Sequence, residues 1–174
     1  SDLPDPAPAK ALVERIRGDA GDAPVRLMEV CGTHTVAIAR GGIRPLLSSA
    51  VTMLSGPGCP VCVTPDGYID AAIALGRDRG ALLASFGDML RVPGSHGTLL
   101  DAKAEGADIR MVYSPLDALR MARENPDRDV IFFAIGFETT DPQADLPMQR
   151  TKAEGLKDFF AMCNHRLVMQ PLRA

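Results

Sequence analysis

The sequence lacks several features that would place it in a specialised class. No apolar run approaches the roughly 20 residues that a membrane-spanning helix needs, and the first ten residues contain no apolar signal core. There is no basic excess, because Lys and Arg total 19 against 22 Asp and Glu, with a formal net charge of -3. This balance argues against a nucleic-acid partner, and a hydrophobic content of 46% argues against disorder. We expect a globular protein of the cytoplasm with no membrane partner.

Cysteine is scarce and unevenly placed. The four cysteines are Cys31, Cys59, Cys62 and Cys163. So few cysteines, without a secretion signal, argue against a disulfide scaffold. We expect thiols that stay reduced, bind a ligand or cycle between redox states.

Glycine and proline are abundant, at 16 and 14 residues, and predict many tight turns between buried elements. Apolar strand-like runs alternate with stretches of helical pattern along the chain. This rhythm is typical of βαβ units, and the sequence therefore predicts an α/β fold, Rossmann-like, with a parallel β-sheet and helices on both faces. The predicted strands are Val25–Val30, Ala50–Leu54, Ala81–Phe86, Ile109–Tyr113, Val130–Ile135 and Phe159–Met162.

The pattern also predicts a domain organisation. Residues 1–24 form an N-terminal extension with a short helix, and residues 25–126 form a first α/β domain that carries the cysteine motifs. The polar, proline-containing turn at Asn125–Asp129 is the expected boundary. Residues 127–174 either begin a second, incomplete α/β domain or continue the same sheet, since two strands and one helix cannot close a core alone.

Chemically unusual residues follow the predicted strands. Ligands bind beyond the carboxyl ends of strands in open parallel sheets, so we expect these loops to share one ligand-binding edge. The segments are Cys31–Thr35, Gly56–Cys62, Gly87–Asp88, Gly136–Thr140 and Cys163–His165.

Cys31 precedes a predicted helix, with His34 three residues later. A helix terminus alone leaves most of a thiol protonated at neutral pH, so a metal or a nearby cation would have to complete its ionisation. Cys59 and Cys62 form a C-x-x-C pair that suits a redox disulfide or half of a zinc site. A single site of Cys31, His34, Cys59 and Cys62 is the alternative for zinc.

Two carboxylates, Asp88 and Glu138, follow the third and fifth predicted strands. Either could orient a ligand or act as a general acid or base. Near the end of the chain, we interpret Cys163 as an ordinary core cysteine and His165 as a surface histidine.

Several long motifs make the sequence resemble a known family. They are Cys31–Thr35 (CGTHT), Gly56–Val63 (GPGCPVCV), Phe86–Ser95 (FGDMLRVPGS), Ala102–Asp108 (AKAEGAD), Tyr113–Pro115 (YSP) and Gly136–Thr140 (GFETT). Together they resemble the HypD family of hydrogenase maturation proteins, almost continuously from Val25 to Thr140.

The resemblance implies a scaffold on which the Fe(CN)2(CO) unit of [NiFe]-hydrogenase is assembled. Cys31 would be the thiolate on iron, and His34 a second ligand or a proton partner. Cys59 and Cys62 would be the redox pair, while Asp88 and Glu138 would line a cleft between two domains. The loop residues expected to contact the cofactor are Gly32, Thr33, Thr35, Gly56, Gly58 and Thr139.

The resemblance also implies partners: a small HypC-type chaperone that shares the iron, and a HypE-type donor of cyanide. Family members are about twice as long and hold a [4Fe–4S] cluster on further cysteines that this sequence does not contain. An assembly scaffold is therefore expected rather than a turnover enzyme. The alternatives are a thiol-disulfide oxidoreductase using Cys59 and Cys62, and a zinc-stabilised binding module.

Overall fold

A computed structural model describes residues 7–21, 24–47, 51–78 and 80–173 of the chain. The described residues form six strands and eight α-helices. In chain order they are α1 (Ala7–Ala20), β1 (Val25–Glu29), α2 (Gly32–Arg40), α3 (Ile43–Leu47), β2 (Val51–Ser55), α4 (Asp66–Arg77), β3 (Ala81–Phe86), α5 (Leu99–Ala104), β4 (Ile109–Val112), α6 (Pro115–Glu124), β5 (Asp129–Phe137), α7 (Asp141–Glu154), β6 (Phe159–Arg166) and α8 (Met169–Arg173). The α/β class is confirmed, and every strand pairing among the described residues is parallel. No helix in the described part of the chain has the length and apolar character needed to cross a membrane.

The chain divides into two compact units. Unit 1 comprises Ser1–Cys59 and Val168–Ala174, and unit 2 comprises Pro60–Leu167. The predicted boundary at Asn125–Asp129 falls inside unit 2, where β3 pairs directly with β5 across it. β5 and β6 thus continue the sheet of β3 and β4. Residues 1–6 of the predicted N-terminal extension, and Ala50 of the second predicted strand, lie outside the described residues.

Unit 1 contains a two-stranded parallel sheet, in which Val25 pairs with Val51 and Glu29 pairs with Ser55. Its described core is a small cluster in which Val13 of α1 and Leu47 of α3 pack with Val51. None of the described residues of α2 is buried. Among its described residues, unit 1 therefore has only a small buried apolar core.

Unit 2 contains a four-stranded sheet in the order β4-β3-β5-β6. Apolar side chains cover both of its faces, as a parallel sheet between helices requires. One cluster joins α4 and α5 to the sheet through Ile69, Leu83, Leu99 and Phe133, and the other joins α6 to the opposite face through Leu82, Ala118, Val130 and Phe132.

The helix boundaries in unit 2 follow from side-chain capping. At α6, the Ser114 hydroxyl accepts a hydrogen bond from the Leu116 N–H at 3.1 Å, and the Ser114 N–H donates one to the Asp117 carboxylate at 3.0 Å. Thr98 and Asp101 form the same capping box at α5. Such caps satisfy N–H groups that the first helical turn leaves without partners. Both helix starts therefore follow from local sequence, because Ser and Thr are residue types preferred at the N-cap.

The strand order creates a topological switch point. From β3 the chain passes through α5 to β4 on one side, and then through α6 to β5 on the other side of β3. The connections after β3 and β5 therefore leave the sheet in opposite directions, and ligands of open parallel sheets bind at the carboxyl edge beside such a point. Asp88 and Glu138 follow these two strands.

One local prediction was wrong. Cys163, Asn164 and His165 lie within β6, not in a loop after it, and pair with Ala134, Ile135 and Gly136 of β5. β5 extends to Phe137, and this long neighbour provides backbone partners for additional residues of β6. The apolar run of Phe159–Met162 showed only the first half of the strand.

Candidate functional site

Cys31 lies at the junction between β1 and α2, where it occupies the N-cap position of the helix. Its carbonyl oxygen accepts a hydrogen bond from the Thr35 N–H at 3.1 Å and another from the Thr35 hydroxyl at 3.4 Å. The predicted strand–thiol–helix order is confirmed. The helix therefore begins directly at the thiol, which places unsatisfied N–H groups beside the sulfur.

The surroundings of Cys31 favour its thiolate. The pKa of the Cys31 thiol is lowered first by the backbone N–H of Thr33 and next by the Thr33 hydroxyl. Burial raises this pKa, but by less than either Thr33 group lowers it, and the His34 N–H and the Cys59 side chain make smaller lowering contributions. The Cys31 side chain makes no capping hydrogen bond, so these groups act as nearby dipoles that stabilise the negatively charged thiolate. The Thr33 hydroxyl and the Cys59 thiol are contributions that the helix-terminus argument from sequence did not include.

His34 contributes its main chain rather than its ring to this arrangement. The residue is exposed on the first turn of α2, and its N–H faces the Cys31 sulfur. No three His, Cys, Asp or Glu side chains among the described residues form a group that could hold a metal ion. The role of His34 as an iron ligand stays a prediction.

The loop from Gly56 to Cys59 follows β2 and approaches the end of β1. The Gly56 N–H donates to the Glu29 carbonyl at 2.8 Å. A Cβ atom at Gly56 would lie 2.3 Å from that same oxygen, so only glycine fits there. Gly58 has a φ of 84°, a conformation that also favours glycine. Both glycines have local backbone reasons to be present, and their contact with a cofactor stays a prediction.

The C-x-x-C pair spans the division between the two units. Cys59 ends the first segment of unit 1, and Cys62 lies in a turn at the start of unit 2. That turn is anchored within unit 2, because the Thr64 hydroxyl donates to the Pro60 carbonyl at 2.8 Å and the Asn164 amide donates to the Thr64 hydroxyl at 2.9 Å. The redox role of the pair stays a prediction.

The two predicted carboxylates of unit 2 line different cavities. Asp88 lines a cavity of about 400 Å³ with Arg91 and Tyr113, whose side chain is 83% exposed. Glu138 lines a cavity of about 730 Å³ with Asp141 and other residues of β6 and α7. Thr139 is exposed beside Glu138. Both carboxylates lie at the carboxyl edge of the sheet as expected, but they do not share one cavity.

A histidine–carboxylate pair was missed by the sequence reasoning. The Nδ1 atom of His165 lies 3.2 Å from the Asp141 carboxylate, and the His165 side chain is only 13% exposed. Its interpretation as a surface histidine was therefore wrong. Asp141 opens α7 directly after the GFETT motif, and this acidic first turn was the available signal.

Cys163 was interpreted as a core cysteine, but it is an exposed residue of β6. Partial burial of its sulfur raises the pKa of the Cys163 thiol, and the neighbouring Asp141 carboxylate raises it further. These two thiols therefore differ in pKa. The pKa of the Cys31 thiol is lowered, which favours its thiolate, and the pKa of the Cys163 thiol is raised, which favours its protonated form.

Comparison with known proteins gives a consistent result. A family model, HypD, described as "Hydrogenase formation hypA family", matches residues 7–174. The chain is 47% identical to a hydrogenase maturation factor HypD of Rhodobacter capsulatus, over 100% of this chain and 48% of that protein. It is 52% identical to the factor of that name from Azotobacter vinelandii (98% and 45% covered) and 45% identical to the one from Escherichia coli strain K12 (97% and 47% covered). The chain therefore spans about half the length of the curated relatives it matches.

Proposed function

The chain belongs to the HypD family of hydrogenase formation proteins, and from this premise we propose that it serves in hydrogenase maturation as part of the scaffold for the Fe(CN)2(CO) unit. The iron unit is the cargo of this scaffold, and it would bind through the Cys31 thiolate. The observation that supports this role is the lowered pKa of the Cys31 thiol at the start of α2. A metal ligand must be deprotonated, and a soft thiolate suits iron that carries CO and cyanide.

Residues around Cys31 would position the cargo. The Thr33 hydroxyl and the N–H groups of Thr33 and His34 already face the sulfur and would favour its ionisation when iron binds. The exposed His34 ring is the proposed second ligand or proton partner. Gly32, Thr35, Gly56 and Gly58 would form the remaining backbone around the cargo.

Cys59 and Cys62 are the proposed redox pair. Forming a disulfide between them releases two electrons and two protons, and breaking it takes up the same number. In longer family members a [4Fe–4S] cluster is the expected electron partner. The Cys59 side chain also neighbours Cys31, which supports a link between thiol chemistry and cargo binding.

Asp88 and Glu138 are proposed to act at the carboxyl edge of the unit 2 sheet, as proton carriers or ligand-orienting groups. The topological switch point between β3 and β5 supports this assignment, since ligands of open α/β sheets bind there. A small HypC-type chaperone and a HypE-type cyanide donor are the proposed partners, in the cytoplasm.

The test is infrared spectroscopy of the chain produced anaerobically with its HypC-type partner. Cyanide and CO stretching bands are expected in the parent protein and in Cys163→Ala, a matched control that removes a thiol from unit 2. The bands are expected to disappear in Cys31→Ala while circular dichroism stays unchanged. Bands that persist in Cys31→Ala would contradict the proposal. A disulfide exchange activity that is independent of Cys31 would instead favour the oxidoreductase alternative.

A further inference from the structure

Glu29 is a buried carboxylate that the proposed function does not use. It ends β1, and its side chain is only 5% exposed. Among the described residues its charged neighbour is Arg44 of α3, whose Nη2 atom lies 3.6 Å from the Glu29 Oε1 atom. That oxygen is buried and makes no hydrogen bond within the described structure. A buried carboxyl group with an oxygen that makes no hydrogen bond costs stability, so packing alone does not explain why glutamate occupies position 29.

The contacts of Glu29 join the ends of the two strands in unit 1. Glu29 pairs with Ser55 as the last pair of the parallel ladder. Arg44 approaches the Glu29 carboxylate and donates a hydrogen bond to the Ser55 hydroxyl at 2.7 Å. The Glu29 carbonyl accepts the hydrogen bond from the Gly56 N–H. Side chain and main chain of one residue therefore fix both strand ends.

Both strand ends lead directly to a thiol. Cys31 lies two residues beyond Glu29, and Cys59 lies four residues beyond Ser55. The two thiols are neighbours within unit 1. A shift of either strand end would change the separation of the two sulfurs, because the connecting segments are short and one of them contains the close approach at Gly56.

We propose that Glu29, acting through Arg44 and Ser55, is a positioning residue that holds the Cys31 and Cys59 thiols in contact. This inference rests on the proposed function only in treating these two thiols as the site. Glu29 does not touch the cargo, and its effect is transmitted through the ends of β1 and β2. A purely apolar residue would fill the same space at lower electrostatic cost, but it would not engage Arg44.

The test measures how readily the two thiols form a disulfide with each other. In the full chain carrying Cys62→Ser and Cys163→Ser, equilibration with glutathione buffers gives the effective concentration of the Cys31–Cys59 pair. Glu29→Gln keeps the shape of the side chain and removes its charge. It is expected to lower the effective concentration about tenfold, within the usual range of coupling between neighbouring residues. Ser55→Ala is expected to lower it by a smaller factor, and Arg44→Lys, which keeps the charge, by the least.

The matched control is Glu14→Gln, which removes the charge from an exposed ion pair with Arg17 in the same unit. It is expected to leave the effective concentration unchanged. A Glu29→Gln variant that keeps the parent effective concentration would overturn the proposal, whether its stability rises or falls. If Glu29→Gln does not fold, unchanged values in both Ser55→Ala and Arg44→Ala would overturn it instead. The measurement needs no iron, so its failure is distinguishable from a failure of the infrared test of function.

Discussion

Unit 1 and unit 2 are built from similar βαβ segments, yet the described residues of unit 2 form a much larger buried apolar core than those of unit 1. The described core of unit 1 is a small cluster around Val51, and Leu27 of its sheet is 47% exposed. In unit 2 both faces of a four-stranded sheet are covered, and Leu82, Phe132 and Phe133 are fully buried. The thiols Cys31 and Cys59 belong to the thinly packed unit.

This difference suggests that the two units have different roles. Regions with few buried contacts open at low free-energy cost, and binding segments are commonly drawn from them. In unit 1, polar contacts such as those of Arg44 with Glu29 and Ser55 provide part of the stabilisation that apolar packing provides in unit 2. The predictions below test that contrast.

The largest expected effect comes from matched leucine truncations. Leu82→Ala in unit 2 is expected to cost about 3–5 kcal/mol, because a fully buried leucine leaves a cavity. Leu47→Ala in unit 1 is expected to fall near the lower limit of about 2 kcal/mol, because its sparse surroundings lose fewer contacts. Native-state hydrogen exchange in β2 and β3 reports each unit separately. Leu46→Ala, at a 38% exposed neighbour, is the control, and equal costs for Leu47 and Leu82 would remove the contrast.

Gly56→Ala is expected to destabilise unit 1 by about 1–3 kcal/mol, since the new Cβ would overlap the Glu29 carbonyl oxygen. Gly18→Ala is the matched control, because Gly18 lies in α1 with open space around it. A helical Gly→Ala change there should stabilise by about 0.5–1 kcal/mol. Urea denaturation of the two variants provides the measurement. A Gly56→Ala variant as stable as Gly18→Ala would show that the loop can move away from β1.

Asp108→Asn tests a polar network of unit 2. Hydrogen bonds from Arg110 at 2.8 Å and Arg128 at 2.6 Å hold the pKa of the Asp108 carboxyl below its ordinary value. The folded-state pKa lies below the unfolded one, so the ionised carboxylate stabilises the fold above the unfolded pKa. That contribution is lost as the pH falls through the lower folded pKa.

At neutral pH we therefore expect Asp108→Asn to cost about 1 kcal/mol, reduced by the partial exposure of the pair. The difference from the parent protein should shrink in acid. Urea denaturation at a series of pH values measures it, with Asp127→Asn, at an exposed turn residue, as the control. If the stability difference between Asp108→Asn and the parent protein stayed constant with pH, the stabilising effect of this network would not be electrostatic.

The last prediction concerns the reactivity of two thiols and involves the smallest expected change in structure. Cys31 should react with iodoacetamide several-fold faster than Cys163 at neutral pH, because the pKa of the Cys31 thiol is lowered and that of the Cys163 thiol is raised. Thr33→Ala removes a hydroxyl donor, and its pH profile for Cys31 alkylation should move upward. Thr35→Ala, whose hydroxyl bonds the Cys31 carbonyl, is the matched control. Site-resolved mass spectrometry follows both rates, and an unchanged profile in Thr33→Ala would exclude this contribution.

Much of this protein was determined by its sequence alone. Alternating apolar runs and helical patterns predicted the six strands, because burial between helix layers requires apolar residues in short continuous stretches. The sequence also predicted that Cys31 directly precedes a helix, as it does at α2. The thiols and carboxylates that follow β1, β2, β3 and β5 were also placed correctly at strand ends.

Other features were decided only by the tertiary structure. The division after Cys59, the pairing of β3 with β5 and the full length of β6 depend on contacts between residues far apart in sequence. The same holds for the contact of His165 with Asp141 and for the approach of Arg44 to Glu29. A sequence pattern reports whether a residue prefers burial or a turn. It does not report which distant side chain will neutralise a charge or share a thiol's hydrogen bond, because only the packed chain brings those partners together.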